Sequence, residues 1–402
     1  MIQYVMNILK SFVLACIFSS SIYLQYFNIS YLWLNSFIGI AAIYLVLKQT
    51  KKTLFFVGFF VGILWFWWVY HSFEYYGLSH ISYFVVILIG LIYGAVFYIV
   101  GISSNIYIKA SLFGSLYFVS ILGFNWFKPQ AIFANSYFDV TFIAFATILL
   151  SLSLVIQKRN WYYALLLVFA FDFSSLKINK PTLNIYMPQY NTPQDQKWKK
   201  SYKQTLINQN LENINYAINM GYEFIILPET AFPFALNKDE KLLQLLQEKS
   251  KTIAIVAGGL ELVDDKYYNT SYFFHKQKLK IARKLVLVPF GEAVPLPAMI
   301  RDWVNDKFYN GAKDYEVAKK PTTFDISGIK FRNAICYEAT TDKIFENLDT
   351  RYMVVLSNNA WFVPSIEPAL QNMLLKYYAR KYDMMIYHSS NSSENTIIKN
   401  SF

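Results

Sequence analysis

The sequence predicts a membrane α-helical bundle followed by an α/β domain, and two observations carry that prediction. The chain of 402 residues is 55% hydrophobic and 19% aromatic but only 16% charged, which is too apolar for an ordinary soluble protein. Charged residues are rare before Lys177 and recur every few positions after it. We therefore expect a transmembrane bundle over residues 1–177 and an extramembrane domain over 178–402.

The first domain contains apolar segments that are candidates for transmembrane helices, because about 20 apolar residues are needed to cross the hydrocarbon core. The seven candidates are 8–27, 31–47, 53–72, 81–102, 108–126, 138–156 and 161–175, of which the last is the shortest. Gly58-x-x-x-Gly62 and Gly90-x-x-x-Gly94 are typical of closely packed helices. The aromatic run from Trp65 to Trp68 indicates either an interfacial anchoring belt or a wall that guides lipid tails.

The distribution of basic residues predicts the orientation in the membrane. Lys and Arg accumulate in short cytoplasmic loops, and here they fall at the N-terminus and in every second loop: Lys10, Lys48, Lys51, Lys52, Lys109, Lys158 and Arg159. We therefore expect a cytoplasmic N-terminus. An odd number of crossings then places the second domain in the periplasm, at a bacterial inner membrane. If segment 161–175 does not cross, this orientation reverses.

Several classes of function are disfavoured by composition and motifs. The net charge of +11 comes without the clustered basic and aromatic residues of nucleic-acid-binding proteins, so we expect no nucleic-acid partner. The chain has two cysteines and four scattered histidines, which predicts no metal site. Neither a Gly-x-x-x-x-Gly-Lys nor a Gly-x-Gly-x-x-Gly motif occurs, so we expect no cofactor.

The second domain alternates short apolar runs with helical patterns, which predicts a layered α/β fold. The predicted strands are 183–190, 224–227, 252–263, 268–275, 322–326, 332–336 and 352–356. Predicted helices include one that Gly221 ends, followed by 239–249, 297–308 and 366–382.

Three residues that follow apolar runs are the candidate catalytic groups. Glu229 comes after a strand that Pro228 ends, Lys284 lies in a strand-to-loop stretch, and Cys336 follows another strand. Taken singly, each has an ordinary structural interpretation: a helix-start acid, a solvated lysine and a core thiol. Together they supply a general base, a cation for a developing oxyanion and a nucleophile, which acyl transfer through a thioester requires.

The local motifs around these residues give a more specific prediction. The segments Leu-Pro-Glu-Thr, Leu-Val-Pro-Phe-Gly-Glu, Cys-Tyr-Glu and Ser-Asn-x-Ala-Trp-Phe occur in this order. In this respect the chain resembles the apolipoprotein N-acyltransferases, membrane proteins of the nitrilase superfamily with a Glu-Lys-Cys triad. The resemblance implies a nitrilase-like αββα sandwich in the second domain and assigns the triad to Glu229, Lys284 and Cys336.

The resemblance also implies substrates and supporting residues. The acyl donor would be a membrane phospholipid and the acceptor the α-amine of a diacylglyceryl-cysteine apolipoprotein, with the protein expected to act as a monomer. The implied supporting residues are the acids Glu292 and Glu338, together with Tyr337, Trp198 and Asn269. Members of the family commonly end in a further transmembrane helix, which is not found before Phe402.

Two segments are candidates for contact with lipid. Residues 294–313, which include Trp303, form either an amphipathic arm that touches headgroups or a packed helix with a polar loop. Trp361 and Phe362 are candidates for a lid or for part of a lipid entrance.

Two other functions stay open at this point. A membrane-tethered nitrilase-like amidase, or an acyltransferase with another amine acceptor, would use the same three residues. A transport or scaffold protein would need no intact triad, and a transporter would carry intramembrane charges along its path, which the sequence lacks.

Overall fold

A computed structural model describes residues 2–75, 77, 79–121, 123–173, 177–289, 291–293, 299, 301–302 and 314–401. The chain divides into two compact units. The first unit comprises residues 1–176, 364–381 and 401–402, and the second comprises 177–363 and 382–400. Trp303 and most of the predicted amphipathic arm lie outside the described residues.

The first unit is helical from its first described residues. Its α-helices are α1 (Ile2–Tyr26), α2 (Leu32–Leu47), α3 (Lys51–Phe66), α4 (Val69–Tyr75), α5 (Ser79–Val100), α6 (Ile106–Ser115) and α7 (Phe142–Lys158). Two 3-10 helices, Pro129–Phe133 and Trp161–Ala170, complete this part of the unit. Polar residues set several starts: the side chains of Thr50, Asn105 and Thr141 accept hydrogen bonds from the first turns of α3, α6 and α7.

Within the described residues, two stretches are long and apolar enough to cross a membrane, Val5–Tyr26 and Ser79–Val100. A third is added if α3 and α4, which meet at 49°, form one broken span. The predicted segment 108–126 is α-helical only as α6, and 161–175 contains a 3-10 helix of 10 residues. Ten residues of α-helix extend about 15 Å, roughly half of the hydrocarbon core. The seven crossings therefore stay a prediction.

The glycine motifs lie where α3 and α5 approach each other closely. A Cβ atom on Gly58 would fall 2.4 Å from the backbone oxygen of Tyr93 and 2.6 Å from Cβ of Phe97. A Cβ atom on Gly62 would fall 3.1 Å from Cα of Gly90. Because glycine has only a hydrogen atom in place of a side chain, the two backbones can pack closely together, as they do at small residues in membrane helices.

Two indoles of the aromatic run at the end of α3 lie in the interior of the unit. Trp65 and Trp68 are 0% and 3% exposed, and the indole of Trp65 donates a hydrogen bond of 3.1 Å to Oγ of Ser19. The rings of Trp65 and Phe127 pack edge to face, with centroids 5.1 Å apart. Because these two rings are buried, they form neither an interfacial belt nor a lipid-guiding wall. The sequence did not predict this, since a mainly apolar helix does not reveal which of its faces is buried.

The second unit contains two sheets. The first sheet has the order β1-β2-β4-β5-β6, and β3 also pairs with β4. Its strands are β1 (Ile185–Tyr186), β2 (Phe224–Ile226), β3 (Phe232–Ala235), β4 (Ala254–Val263), β5 (Lys266–His275) and β6 (Lys278–Arg283). The second sheet has the order β11-β10-β9-β8-β7. Its strands are β7 (Thr323–Ile326), β8 (Ile329–Ile335), β9 (Tyr352–Asn358), β10 (Met385–Asn391) and β11 (Thr396–Ile398).

Parallel pairing brings several strand ends to one edge of each sheet. β1, β2 and β4 are parallel neighbours in the first sheet, and β8, β9 and β10 in the second. The unit's α-helices include α8 (Gln194–Lys197), α9 (Lys203–Asn219) and α10 (Glu240–Lys249). α9 connects β1 to β2, and α10 lies between β3 and β4. The predicted βαβ alternation is therefore present around the β2 strand that precedes Glu229.

Two apolar cores hold this unit together. One lies between the sheets, where Phe224 packs on Phe331 and Phe273 stacks on Phe324. The other lies between the first sheet and helices α9 and α10, and it includes Ile214, Leu246 and Ile255. The two packed sheets with helices on the outer face of the first agree with the sandwich that the family resemblance implies.

The last helix, α11 (Glu367–Lys381), belongs to the first unit although it lies between β9 and β10 of the second unit in the sequence. Arg380 is buried there, and its guanidinium donates to the backbone oxygens of Phe133, Ala134, Ser136 and Phe138. It also forms an ion pair of 2.8 Å with Asp172. The membrane unit is thus completed by residues that lie far beyond the charge boundary near Lys177.

We expect Gly58→Ala to destabilise the membrane unit by about 1–3 kcal/mol, because the added methyl group meets backbone rather than a flexible side chain. Gly114→Ala is the matched control, since the nearest neighbour of its added methyl group would be a terminal side-chain atom of Leu149 at 3.0 Å. Thermal unfolding in detergent checks this. Equal melting temperatures for the two variants would mean that α3 and α5 do not pack at Gly58.

Candidate active site

Glu229 lies on the loop that follows β2 and is 7% exposed. The strand continues through Leu227, whose N–H donates to the backbone oxygen of Val256, and then stops at Pro228, which has no N–H to pair. The next residue, Thr230, has a φ of 47°, so the chain turns sharply directly after the carboxylate. This local geometry directs Glu229 away from the sheet ladder and into the site.

Gly258 on β4 makes that turn possible. A Cβ atom at this position would lie 2.4 Å from the backbone nitrogen of Thr230 and 2.6 Å from Cα of Glu229. The backbone that carries the carboxylate therefore rests directly on the neighbouring strand.

Lys284 comes directly after β6 and is fully buried. Its ammonium lies 2.7 Å from Oε2 of Glu292 and 3.6 Å from Oε1 of Glu229. Its backbone N–H donates to the oxygen of Asn269 at 2.8 Å, and its carbonyl accepts from Ala318 at 2.8 Å. One cation is thus held between two carboxylates.

Asn269 joins the same two carboxylates through its amide group. Nδ2 donates to Oε1 of Glu229 at 2.7 Å and to Oε1 of Glu292 at 2.9 Å. The other oxygen of Glu292 accepts from the backbone N–H of Val288 at 2.9 Å. Glu292 therefore contacts Lys284 directly and reaches Glu229 through Asn269, which fits the supporting role that the resemblance assigns to it.

Cys336 stands at the end of β8 in a strained conformation. Its φ is 53°, a left-handed value that costs a non-glycine residue about 1–3 kcal/mol, and a 3-10 helix, Cys336–Thr340, begins at it. The thiol is partly exposed, whereas Tyr337 next to it is buried. Cys336 is close enough for its negative charge to contribute to the raised pKa of Lys284.

Glu338 braces the turn that holds Cys336. Its Oε1 accepts from the N–H of Ile335 at 2.7 Å, and its Oε2 accepts from the N–H groups of Leu285 at 2.5 Å and Val286 at 3.2 Å. The carboxylate thereby ties the chain after Lys284 to the strand end that carries the thiol. Burial raises the pKa of Glu338 to about 7, while these N–H donors and Lys284 act to lower it.

The electrostatics of the site favour a charged lysine and a base that is readily protonated. Burial acts to lower the pKa of Lys284, but the negative charges of Glu292, Glu229 and Cys336 raise it above the usual lysine range. Burial raises the pKa of Glu229, and the charge of Glu292 adds to the rise, while Lys284 and Asn269 oppose it. A buried carboxylate that shares a charged lysine with a nearby thiol is a suitable group to accept the thiol proton.

The structure brings together five of the sequence-predicted residues: Glu229, Lys284, Asn269, Glu292 and Cys336. Trp198 is 41% exposed on the segment after α8. Trp361 and Phe362 are partly exposed at a 3-10 helix, Asn359–Trp361.

Sequence reasoning missed Lys197, which is 3% exposed and donates from Nζ to the backbone oxygen of Glu229 at 3.0 Å. It also missed Gly258. The signal for Lys197 was weak, because it stands among Lys199, Lys200 and Lys203 in a polar stretch where a lysine is ordinarily solvated.

Two family models match the chain. One is described as "Apolipoprotein N-acyltransferase integral membrane domain" and matches residues 5–175, and the other is described as "Carbon-nitrogen hydrolase" and matches residues 187–387. Together they cover both units of the chain except for the terminal residues and a short connection.

Curated relatives are similar over nearly the whole length. Proteins named apolipoprotein N-acyltransferase from Wolinella succinogenes and Helicobacter pylori are 40% and 35% identical, over 96% and 97% of this chain and 94% and 95% of theirs. One from Campylobacter jejuni is 34% identical over 98% of this chain and 90% of its own. Among solved structures, an amidase from Nesterenkonia sp. has a TM-score of 0.41 at 12% identity, covering 56% of this chain and 86% of that one.

We expect Gly258→Ala to slow alkylation of Cys336 by iodoacetamide about tenfold at neutral pH, because the added methyl group displaces the backbone of Glu229. Measurements are made in a Cys16→Ala background, which leaves one thiol. Gly259→Ala is the control, since its nearest contact would be 3.3 Å. Equal alkylation rates in the two variants would mean that the position of Glu229 does not affect the reactivity of the Cys336 thiol.

The rate of Cys336 alkylation should fall at low pH as Glu229 becomes protonated, and we call this fall the low-pH limb. We expect its midpoint to lie above the ordinary glutamate pKa of about 4.3, because burial raises the pKa of Glu229. In Glu292→Gln the limb moves to lower pH, since a negative charge that raises the pKa of Glu229 is removed. Glu248→Gln, an exposed acid paired with Lys251, should leave the limb unchanged. A shift to higher pH in Glu292→Gln would contradict this assignment.

Proposed function

This chain belongs to the apolipoprotein N-acyltransferase family, and from that membership we propose that Cys336 carries a fatty acyl group from phospholipid to lipoprotein. The acceptor is the N-terminal α-amine of a diacylglyceryl-cysteine lipoprotein. The observation that carries the proposed chemistry is the buried Lys284 ammonium, held 3.6 Å from the Glu229 carboxylate beside the strained turn of Cys336.

The first half of the proposed reaction forms a thioester. Sγ of Cys336 attacks the ester carbonyl of a phospholipid while Glu229 takes the thiol proton. The carbon–oxygen bond to glycerol then breaks, Glu229 returns the proton to the leaving oxygen, and lysophospholipid departs. The acyl chain stays on Cys336.

The second half transfers the acyl chain to nitrogen. The α-amine of the lipoprotein attacks the thioester carbonyl and gives a proton to Glu229. The carbon–sulfur bond then breaks and the thiolate of Cys336 recovers that proton, so the products are an amide and the free thiol. The same Glu229 oxygen thus serves both halves of a ping-pong cycle.

The oxyanion that forms in each half requires positive charge or hydrogen-bond donors close to the carbonyl oxygen. We assign this role to Lys284 and to the backbone N–H of Tyr337. A single such donor is typically worth on the order of 10²–10³ in rate. Glu292 and Asn269 orient Lys284 and Glu229, and Glu338 holds the turn in place.

The membrane domain supplies the reason for this substrate class. An acyl donor dissolved in the bilayer must reach the thiol from the lipid side, whereas a soluble amide requires no membrane anchor. Trp198, Trp303, Trp361 and Phe362 are the candidates for contacts with the lipid or lipidated substrates. From the charge boundary we propose a transmembrane bundle over 1–177 and a catalytic domain over 178–402, with α11 of the latter range belonging to the first compact unit.

The proposed location is a bacterial inner membrane that the chain crosses seven times, with a cytoplasmic N-terminus and a periplasmic catalytic domain. The support for this orientation is the placement of Lys and Arg in alternate loops. We propose that the protein acts as a monomer.

Incubation of the purified protein with phospholipid should add the mass of one acyl chain, as measured on the intact protein. We expect no adduct in Cys336→Ala, and a rate reduced about 10²-fold or more in Glu229→Gln, because the general base is lost. Cys16→Ala is the matched thiol control and should acquire the adduct at the rate of the unaltered protein. An adduct that survives in Cys336→Ala would overturn the mechanism.

The same acyl-enzyme can be used to identify the acceptor. With a diacylated lipopeptide the adduct should disappear as a triacylated peptide forms. Release of free fatty acid, or acyl transfer to an unrelated amine at an equal rate, would instead identify an amidase or another acyltransferase.

A further inference from the structure

Lys197 is a buried cation that the proposed mechanism does not use. It is the last residue of α8, only 3% exposed, and its ammonium donates to the backbone oxygen of Glu229 at 3.0 Å. Trp198 and Lys199, the next two residues, are exposed. An ammonium is stabilised by water, so a lysine that buries its head beside a proposed general base requires a specific explanation.

A chain of amide side chains holds α8 against the strand ends of the second sheet. Asn391, at the end of β10, exchanges two hydrogen bonds with the backbone of Thr192, at 2.8 and 2.9 Å. Asn391 also donates to Asn358, which donates to Gln194 at 2.9 Å. All of these side chains are buried, so the position of Lys197 is determined by the fold rather than by a flexible surface segment.

The charges around Glu229 suggest a role for the Lys197 ammonium. The groups that act on Glu229 are Lys284 from the end of β6, Glu292 from the following loop, Asn269 from β5 and Lys197 from α8. Lys284 is shared, and it lies closer to Glu292, at 2.7 Å, than to Glu229, at 3.6 Å. A second positive charge therefore offsets the second carboxylate.

We propose that Lys197 is a positioning residue for the base: its ammonium fixes the main chain of Glu229 and stabilises the ionised form of its carboxylate. The hydrogen bond sets where the carboxylate starts, and the charge sets how readily it stays deprotonated. In this role Lys197 acts through Glu229.

The electrostatics agree with this geometry. Burial lowers the pKa of Lys197 to about 7, and the charge of Glu229 opposes that change. In the reverse direction, Lys197 acts to lower the pKa of Glu229 against the rise that burial causes. Each group therefore favours the charged state of the other.

The test compares Lys197→Met with Lys199→Met, a control two residues away whose exposed ammonium pairs with Asp195. The readout is the rate of Cys336 alkylation by iodoacetamide against pH, in full-length protein with Cys16→Ala. Removing the charge of Lys197 raises the pKa of Glu229, so we expect the low-pH limb to move to higher pH. A shift of one unit lowers the rate below the limb about tenfold. Lys199→Met should keep the limb of the parent protein.

Lys197→Gln separates charge from folding, because its amide retains a hydrogen-bond donor but carries no charge. We expect it to show the same direction of shift with a melting temperature close to that of the parent. An unshifted limb in either variant overturns the proposal. Unfolding of both variants also overturns it, because Lys197 would then be a structural residue.

This inference rests on the proposed role of Glu229 as base, but its test requires no lipid. If the parent protein forms no acyl adduct with phospholipid, the proposed function fails while the alkylation limbs still decide the role of Lys197. If the adduct forms and the low-pH limb does not move in the Lys197 variants, the proposed role of Lys197 is wrong while the proposed function stands.

Discussion

The buried ammonium of Lys284 is the interaction on which the proposed site depends. A lysine that is fully removed from water would lose its proton unless negative charge surrounded it, and Glu292 and Glu229 supply that charge at 2.7 and 3.6 Å. In turn, two buried carboxylates joined by one amide, Asn269, would repel each other without the lysine. Removing Lys284 would leave two buried carboxylates without a neighbouring cation in this cluster, so their ionised state depends on this lysine.

This arrangement is assembled from chain segments that strand ends bring together. Glu229 follows β2, Lys284 follows β6 and Cys336 follows β8, and the two sheets pack on a shared apolar core. Glu338 then uses three backbone N–H groups to bind the chain after Lys284 to the turn of Cys336. A rigid core therefore sets the distances, while the left-handed turn at Cys336 is maintained by its surroundings.

The family, the layered domain and the principal site residues could be predicted because local motifs carry them. Glu229, Lys284 and Cys336 each stand in a short, recognisable segment after an apolar run. Contacts between distant segments left no such signal: Lys197 resembles its solvated neighbours, and Arg380 of α11 completes the membrane unit from the far end of the chain. The sequence analysis missed strand β6 because its alternate lysines resemble a loop. It also missed the burial of Trp65, because hydropathy does not specify which face of an apolar helix is buried.

Counting charges through the proposed reaction explains why a second cation would be useful. When Glu229 takes the thiol proton, its negative charge passes to the sulfur and then to the oxyanion, so the site still holds two negative charges while Glu292 is paired with Lys284. In a buried site that charge is poorly screened, so an uncompensated oxyanion would raise the barrier. In the proposed role, Lys197 supplies a second positive charge, with its ammonium 3.0 Å from the backbone oxygen of the base. A base flanked by two lysines can thus be neutralised and regenerated in each half of the cycle with the surrounding charges still in balance.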